Sequence, residues 1–241
     1  MHVRAPRPTP AFVTLIAGAL ITSGCSAEQD AGSTVAAPRA TASNKVAVAP
    51  LTREQLRALT FKEGEVPGAH EGGIGVQDPV PEDEQPRFPP VSDSDCQTVR
   101  DIRTGEHASA VVLQVFNWKG DIWAGGSTLA AYEDGKARQT FAQLKRALAS
   151  CRSFEGQSYT GKFKATLTME QAPRVGDEAV RFREIAPLGP EHPGDRNEEM
   201  TLVRTGNTIA TFRRLNVGGS SSFPAGLISR QVERLEHAQR P

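Results

Sequence analysis

The sequence lacks most of the features that mark a protein for common kinds of chemistry. Its 28 basic and 28 acidic side chains cancel, so the positive excess with which nucleic-acid-binding proteins grip phosphate is missing. Mean hydropathy is −0.40, which excludes a polytopic membrane protein. The apolar stretch at residues 11–21 is about half the ~20 residues of a bilayer-crossing helix. Only three cysteines are present, with no Cys-x-x-Cys pair, so a redox motif or a zinc site is not expected. Gly218-Gly-Ser-Ser-Ser222 has the small residues of a phosphate loop or nucleophile elbow but the pattern of neither; it reads as a flexible loop before a helix. No Ser/His/Asp set has a recognisable spacing. The chain is therefore expected to be no enzyme and to carry no cofactor or metal. There is no tandem repeat.

Histidine is nearly as unhelpful. Four of the five histidines adjoin a glutamate, at His70-Glu71, Glu106-His107, Glu191-His192 and Glu236-His237. Sequence neighbours point to opposite faces of a strand and lie ~100° apart on a helix, so solvated surface is expected there rather than a metal site.

What is present begins with an address. Arg4 and Arg7 precede the apolar stretch, which ends in Thr22-Ser23-Gly24-Cys25. A charged start, a short apolar core and small residues form an export signal over residues 1–24. Small residues before a cysteine resemble the lipobox of bacterial lipoproteins, in which a diacylglycerol with acyl chains of the palmitate type joins the thiol and cleavage leaves that cysteine as the new N-terminus. The usual lipobox has Leu where this chain has Thr22. The alternative is a plain secretory signal with a chance cysteine. Two acyl chains suffice for stable anchoring, so Cys25 is the expected lipidation site and the cell membrane, on its extracytoplasmic face, the expected location. Losing residues 1–24 removes Arg4 and Arg7 and no acid, leaving 26 basic against 28 acidic groups, a formal charge of −2. Arginine far outnumbers lysine and alanine is abundant, as in GC-rich genomes such as those of actinobacteria.

Residues 25–50 are mostly small or polar and hold no helical or strand period, so a disordered tether is expected. The folded domain is expected over 51–241. Thr52-Arg-Glu-Gln55 fits a capping box, with Leu51 and Leu56 at the hydrophobic-staple positions; a helix follows to about Leu59. Loops occupy 64–92, with one short strand around Gly73–Gln77. A helix over Ser92–Arg103 puts Cys96, Val99 and Ile102 on one side. Strands follow at Ala108–Trp118 and Ile122–Glu133, with Gly125-Gly126 marking a bulge or close approach. Ala137, Phe141, Leu144, Leu148 and Cys151 form one stripe of a helix over Gly135–Cys151. Further strands are expected at Lys162–Gln171, Asp177–Ile185, Glu199–Arg204 and Thr208–Asn216. A Pro/Gly loop lies at 187–195 and a hairpin turn at Thr205-Gly206-Asn207. The last helix starts near Pro224 and buries Leu227, Ile228, Val232 and Leu235. Short connections between strands and one-sided helices predict an α+β fold: an antiparallel sheet with helices packed on one face.

In an oxidising compartment Cys96 and Cys151 are expected to pair. Two residue groups suggest recognition. Trp118 and Trp123 flank a turn and make either an aromatic lip at a cleft or a cross-strand packing pair. Arg181, Arg183, Arg204, Arg213 and Arg214 lie on neighbouring strands and make either an anion-binding face or a solvated sheet surface.

Several segments carry a family resemblance. They are Leu51-Thr-Arg-Glu-Gln-Leu56, Asp95-Cys96, the Phe141, Leu144, Leu148 and Cys151 helix, Val175-Gly-Asp-Glu-Ala179 and Val203-Arg-Thr-Gly-Asn207. Over residues 51–238 the chain resembles the PknH-like extracellular sensor-domain family, which includes lipoproteins and outward-facing domains of actinobacterial receptor Ser/Thr kinases. The resemblance implies an antiparallel sheet flanked by helices, a concave cleft, and a sensing or binding role without known catalysis. Some members carry two disulfides; this chain can form one. It holds no kinase domain, so signalling would need a separate partner. The expected partners are the membrane, through the N-terminal lipid, and a small molecule, wall polymer or envelope protein; no nucleic acid is expected. An adaptor or a lipid carrier is the alternative.

Lipidation is directly testable. A Cys25→Ser chain is expected to leave the membrane fraction on cell fractionation; retention there would rule out the lipid anchor.

Overall fold

The computed structural model describes residues 49–81, 83–84, 87–159, 161–188 and 194–240. The signal, lipidation and tether expectations for residues 1–48 lie outside the described residues, as does most of the predicted 187–195 loop. All the described elements belong to one unit, Lys45–Pro241. Their order is α1 (Arg53–Ala58), β1 (Ala69–Gln77), α2 (Ser94–Thr104), β2 (Ala110–Trp118), β3 (Gly125–Ala131), α3 (Lys136–Ser150), β4 (Ser153–Ser158), β5 (Gly161–Glu170), β6 (Glu178–Pro187), β7 (Asp195–Thr205), β8 (Thr208–Val217) and α4 (Ala225–Ala238). Among the described residues no helix is long and apolar enough to cross a membrane.

Local chemistry explains the helix ends. The Thr52 hydroxyl accepts from the Gln55 N–H while the Gln55 side chain accepts from the Thr52 N–H, completing the capping box. Asp93 caps α2 by accepting from the Cys96 N–H at 2.8 Å, and Gly105 ends that helix in the left-handed conformation. Pro224 stands at the N-cap of α4, one place before the expected first helical position.

The eight strands form one antiparallel sheet in the order β1-β2-β3-β8-β7-β6-β5-β4. Two meanders meet at its centre. The chain runs β1 to β3, crosses by α3 to the far edge at β4, and steps back to place β8 beside β3. This confirms the α+β class and the antiparallel sheet. β4 has no counterpart in the expectations. It is an edge strand in which only Phe154 is buried, so it carries no alternating apolar pattern. β1 runs four residues further back than expected. Its register shifts between Ala69 and Ile74, and Gly72 there adopts φ +68, so the bulge falls at this edge. Gly125 and Gly126 pair in regular register with Phe116 and Val115; they serve close approach instead.

The helices divide between the two faces, where one covered face was expected. Along β7, Met200 and Leu202 belong to one buried cluster and Val203 to another; along β8, Ile209 separates in the same way from Ala210 and Phe212. Successive strand residues point to opposite faces, so the clusters lie on opposite sides of the sheet. α2 and α3 cover the first face, with Val99, Ile102, Phe141, Leu144 and Leu148 over Ala165, Leu167, Phe182, Met200 and Leu202. α1 and α4 cover the second, with Leu56, Leu227, Ile228, Val232 and Leu235 over Val112, Phe116, Leu129 and Phe212. A one-sided apolar stripe obliges a helix to lie on a sheet; the chain path selects the face.

The Cys96–Cys151 disulfide joins the first turn of α2 to the C-cap of α3, with Cα atoms 4.9 Å apart. Cross-linking residues 55 apart stabilises by on the order of 4 kcal/mol in the chain-entropy account. Replacing both cysteines by alanine is expected to lower the unfolding free energy by about 2–5 kcal/mol, read from the urea midpoint, and reductant should move the wild-type midpoint the same way.

Candidate functional site

Each sheet face is covered over part of its width. On the second face the outer strands stay open: Ser153, Glu155 and Gln157 of β4 and Lys162, Lys164, Thr166 and Thr168 of β5 are exposed. On the first face Leu113, Val115 and Asn117 of β2 are half-buried or exposed. The candidate recognition residues do not gather on one of these surfaces.

The two tryptophans have different roles. Trp118 is 8% exposed. Its ring stacks on Phe116 at 5.6 Å, meets Phe223 at 5.9 Å, and carries the Arg214 guanidinium at 3.7 Å, a cation–π contact. A Cβ on Gly125 would lie 2.5 Å from the same ring. Trp118 is thus a packing residue of the second face. Trp123 is half-buried in the β2–β3 loop, where the Asp121 carboxylate accepts its backbone N–H at 2.8 Å.

The five arginines do not share a face. Pairing registers put Arg181, Arg183 and Arg214 on the second face and Arg204 and Arg213 on the first. Each has a partner. Arg181 donates to Thr201 at 3.0 Å. Arg183 binds Glu170, Asn197 and Glu199. Arg204 bridges Asp177 and Glu178 at 2.7 and 2.9 Å, Arg214 holds Asp121 and Arg213 reaches Glu198. Lys145 also binds Glu178, and that hydrogen bond leads in holding its carboxyl below the ordinary range. Glu199, 1% exposed, accepts from Arg183, the Ser222 hydroxyl and the Phe223 N–H. The glycine-serine loop is thereby pinned to the sheet at Ser222. His70, His107 and His237 are exposed, and among the described residues no group of three His, Cys, Asp or Glu could hold a metal.

The densest charge cluster brings Arg213 together with residues outside the candidate set. On the first face Glu184 and Glu198 are 3% and 2% exposed, in positions where alternation along Val180, Phe182 and Ala186, and along Met200 and Leu202, calls for apolar residues. Four guanidiniums surround them. Arg103 donates to Glu184 at 2.9 Å, and Arg100 approaches it at 3.5 Å from one turn earlier on α2. Arg196 donates to Glu198 at 2.6 Å and comes within 3.8 Å of Glu184; Arg213 reaches Glu198 at 3.4 Å. Burial alone would raise the Glu198 pKa, but the charges of Arg103, Arg196 and Arg213 outweigh it and hold the carboxyl below its ordinary range. Two signals for the cluster lie in the sequence: carboxylates at inward strand positions, and Arg100-x-x-Arg103 beside the apolar stripe of α2. Chemically, such a set can hold an anion. The Tyr132 phenol, pushed up to about 12 mainly by burial, moves away from the range useful to acid–base catalysis.

Comparison with known proteins returns no matching family model and no match among curated protein sequences. Among solved structures the chain is similar to the extracellular domain of PknH from Mycobacterium tuberculosis, with a TM-score of 0.56 and 15% identity over 79% of this chain and 99% of that one. That likeness is one of fold.

Removing the buried carboxylate should be costly. Glu198→Ala is expected to destabilise by about 3 kcal/mol, the low end for a broken buried pair, because the outer arginines can rehydrate. A carboxyl with a depressed folded pKa contributes fully above its unfolded value of about 4.3 and loses that contribution as pH falls through the folded value. The Tm gap between wild type and Glu198→Gln should therefore shrink on acidification below about pH 4.

Proposed function

We propose that this chain is a lipid-anchored extracytoplasmic lipoprotein. In this reading residues 1–24 are its signal, 25–50 its tether and 51–241 a sensor-like ligand-binding domain without catalysis. The observation that supports the sensor-like domain is the fold shared with the PknH extracellular domain over most of both chains. The buried disulfide suits an oxidising compartment, and the lipobox-like Thr22-Ser23-Gly24-Cys25 supplies the anchor. Signalling would pass through a separate membrane protein.

An envelope adaptor is the second reading. An open groove of about 570 Å³ between the end of α1 and α4, lined by Leu59, Arg230, Glu233, Arg234, His237 and Ala238, favours a protein or polymer contact over an enclosed lipid. Native purification from membranes, followed by mass spectrometry of co-purifying molecules, separates the readings. A reproducible small ligand is the expected result. A stable protein partner with no ligand would support the adaptor, and the absence of both would overturn the binding-domain reading.

A further inference from the structure

The cluster on the first face holds more positive charge than its carboxylates need. Two guanidiniums neutralise Glu184 and Glu198, yet four converge on them. Like charges this close repel: after burial, the neighbouring Arg103 and Arg196 also lower the Arg100 pKa. The set is graded outward, the side chains of Arg103 and Arg100 being 14% and 27% exposed and those of Arg196 and Arg213 37% and 46%. Arg213 is held against the sheet. A Cβ on Gly126 would stand 2.8 Å from its Nε and 3.3 Å from one Nη, so glycine leaves the room in which that guanidinium lies. The outer arginines hold Glu198 through one nitrogen each, and a guanidinium has five N–H donors.

We propose that Arg100, Arg103, Arg196 and Arg213 form a binding site for a phosphate monoester group, with Arg196 and Arg213 as its outer jaws. This rests on the binding-domain reading and names its ligand class. The two-charge excess matches a phosphate monoester, which carries about −1.5 to −2 near neutral pH, whereas one carboxylate would leave half of it uncompensated. Guanidinium forks also fit phosphate oxygens in pairs. The same group occurs on soluble phosphomonoesters and on the headgroup of phosphatidic acid.

Calorimetric titration of the full chain in detergent tests the site, with inorganic phosphate, acetate and short-chain phosphatidic acid as probes. Wild type is expected to bind phosphate at least about tenfold more tightly than acetate, with affinity falling as salt rises. Arg196→Ala and Arg213→Ala should each weaken phosphate binding about tenfold, while Arg138→Ala, an equal charge change on the exposed side of α3, leaves it unchanged. If either alanine variant fails to fold, Arg213→Gln, whose amide can still donate to Glu198, carries the test. A phosphatidic acid affinity well above that of phosphate assigns the site to a lipid headgroup; equal affinities assign it to a soluble phosphomonoester. No phosphate binding by wild type, equal binding of acetate, or affinity retained in the jaw variants overturns the site. None of these three results touches the binding-domain reading, which the co-purification decides.

Discussion

The structure depends on a constraint at the centre of its sheet. β3, β7 and β8 bury side chains on both faces, and a strand with two apolar faces must be covered twice. Two separate helical layers meet that demand, α2 with α3 on one side and α1 with α4 on the other. The disulfide holds the first layer together, while α1 and α4, from opposite ends of the domain, meet over the second. Buried Gln114 of β2 exchanges hydrogen bonds with the Phe61 backbone, and Gln231 of α4 donates to the Leu59 carbonyl, so the segment after α1 is fastened to both sheet and helix.

Covering each face over only part of its width leaves borders, and the charged residues collect there. A carboxylate at such a border is nearly desolvated but remains within reach of long arginine side chains whose heads stay wet. Glu184, Glu198 and Glu199 occupy this position, and each is compensated by guanidiniums. On the second face, Arg183, Glu199 and Ser222 tie the sheet to the loop before α4. On the first face four guanidiniums, from α2, β7 and β8, surround the two carboxylates Glu184 and Glu198.

Much of the architecture was legible because it is encoded locally. The α1 capping box, the three-and-four spacing of α3, the buried face of α4 and the hairpin at Gly206-Asn207 need only neighbouring residues to be recognised. β4 was invisible because an edge strand with one buried phenylalanine has no period to read. The arginine cluster was half visible. Arg213 stood out as a basic residue on a strand, but strand parity separates it from Arg181, Arg183 and Arg214. Its actual companions are Arg196, from the preceding strand, and Arg100 and Arg103, from a helix far away in sequence.

The sequence by itself determined the kinds of elements, the antiparallel α+β class and the cysteine pair, since propensity, capping and periodicity act over a few residues and two cysteines in one domain have one way to pair. Only the tertiary structure decided which face each helix covers and which charges meet. A strand shows its two faces equally, and the choice between them is made by the path of the chain and by registers linking residues dozens of positions apart. The same step turned Trp118 from a candidate lip into core, and moved the centre of positive charge from the late strands to the edge of α2.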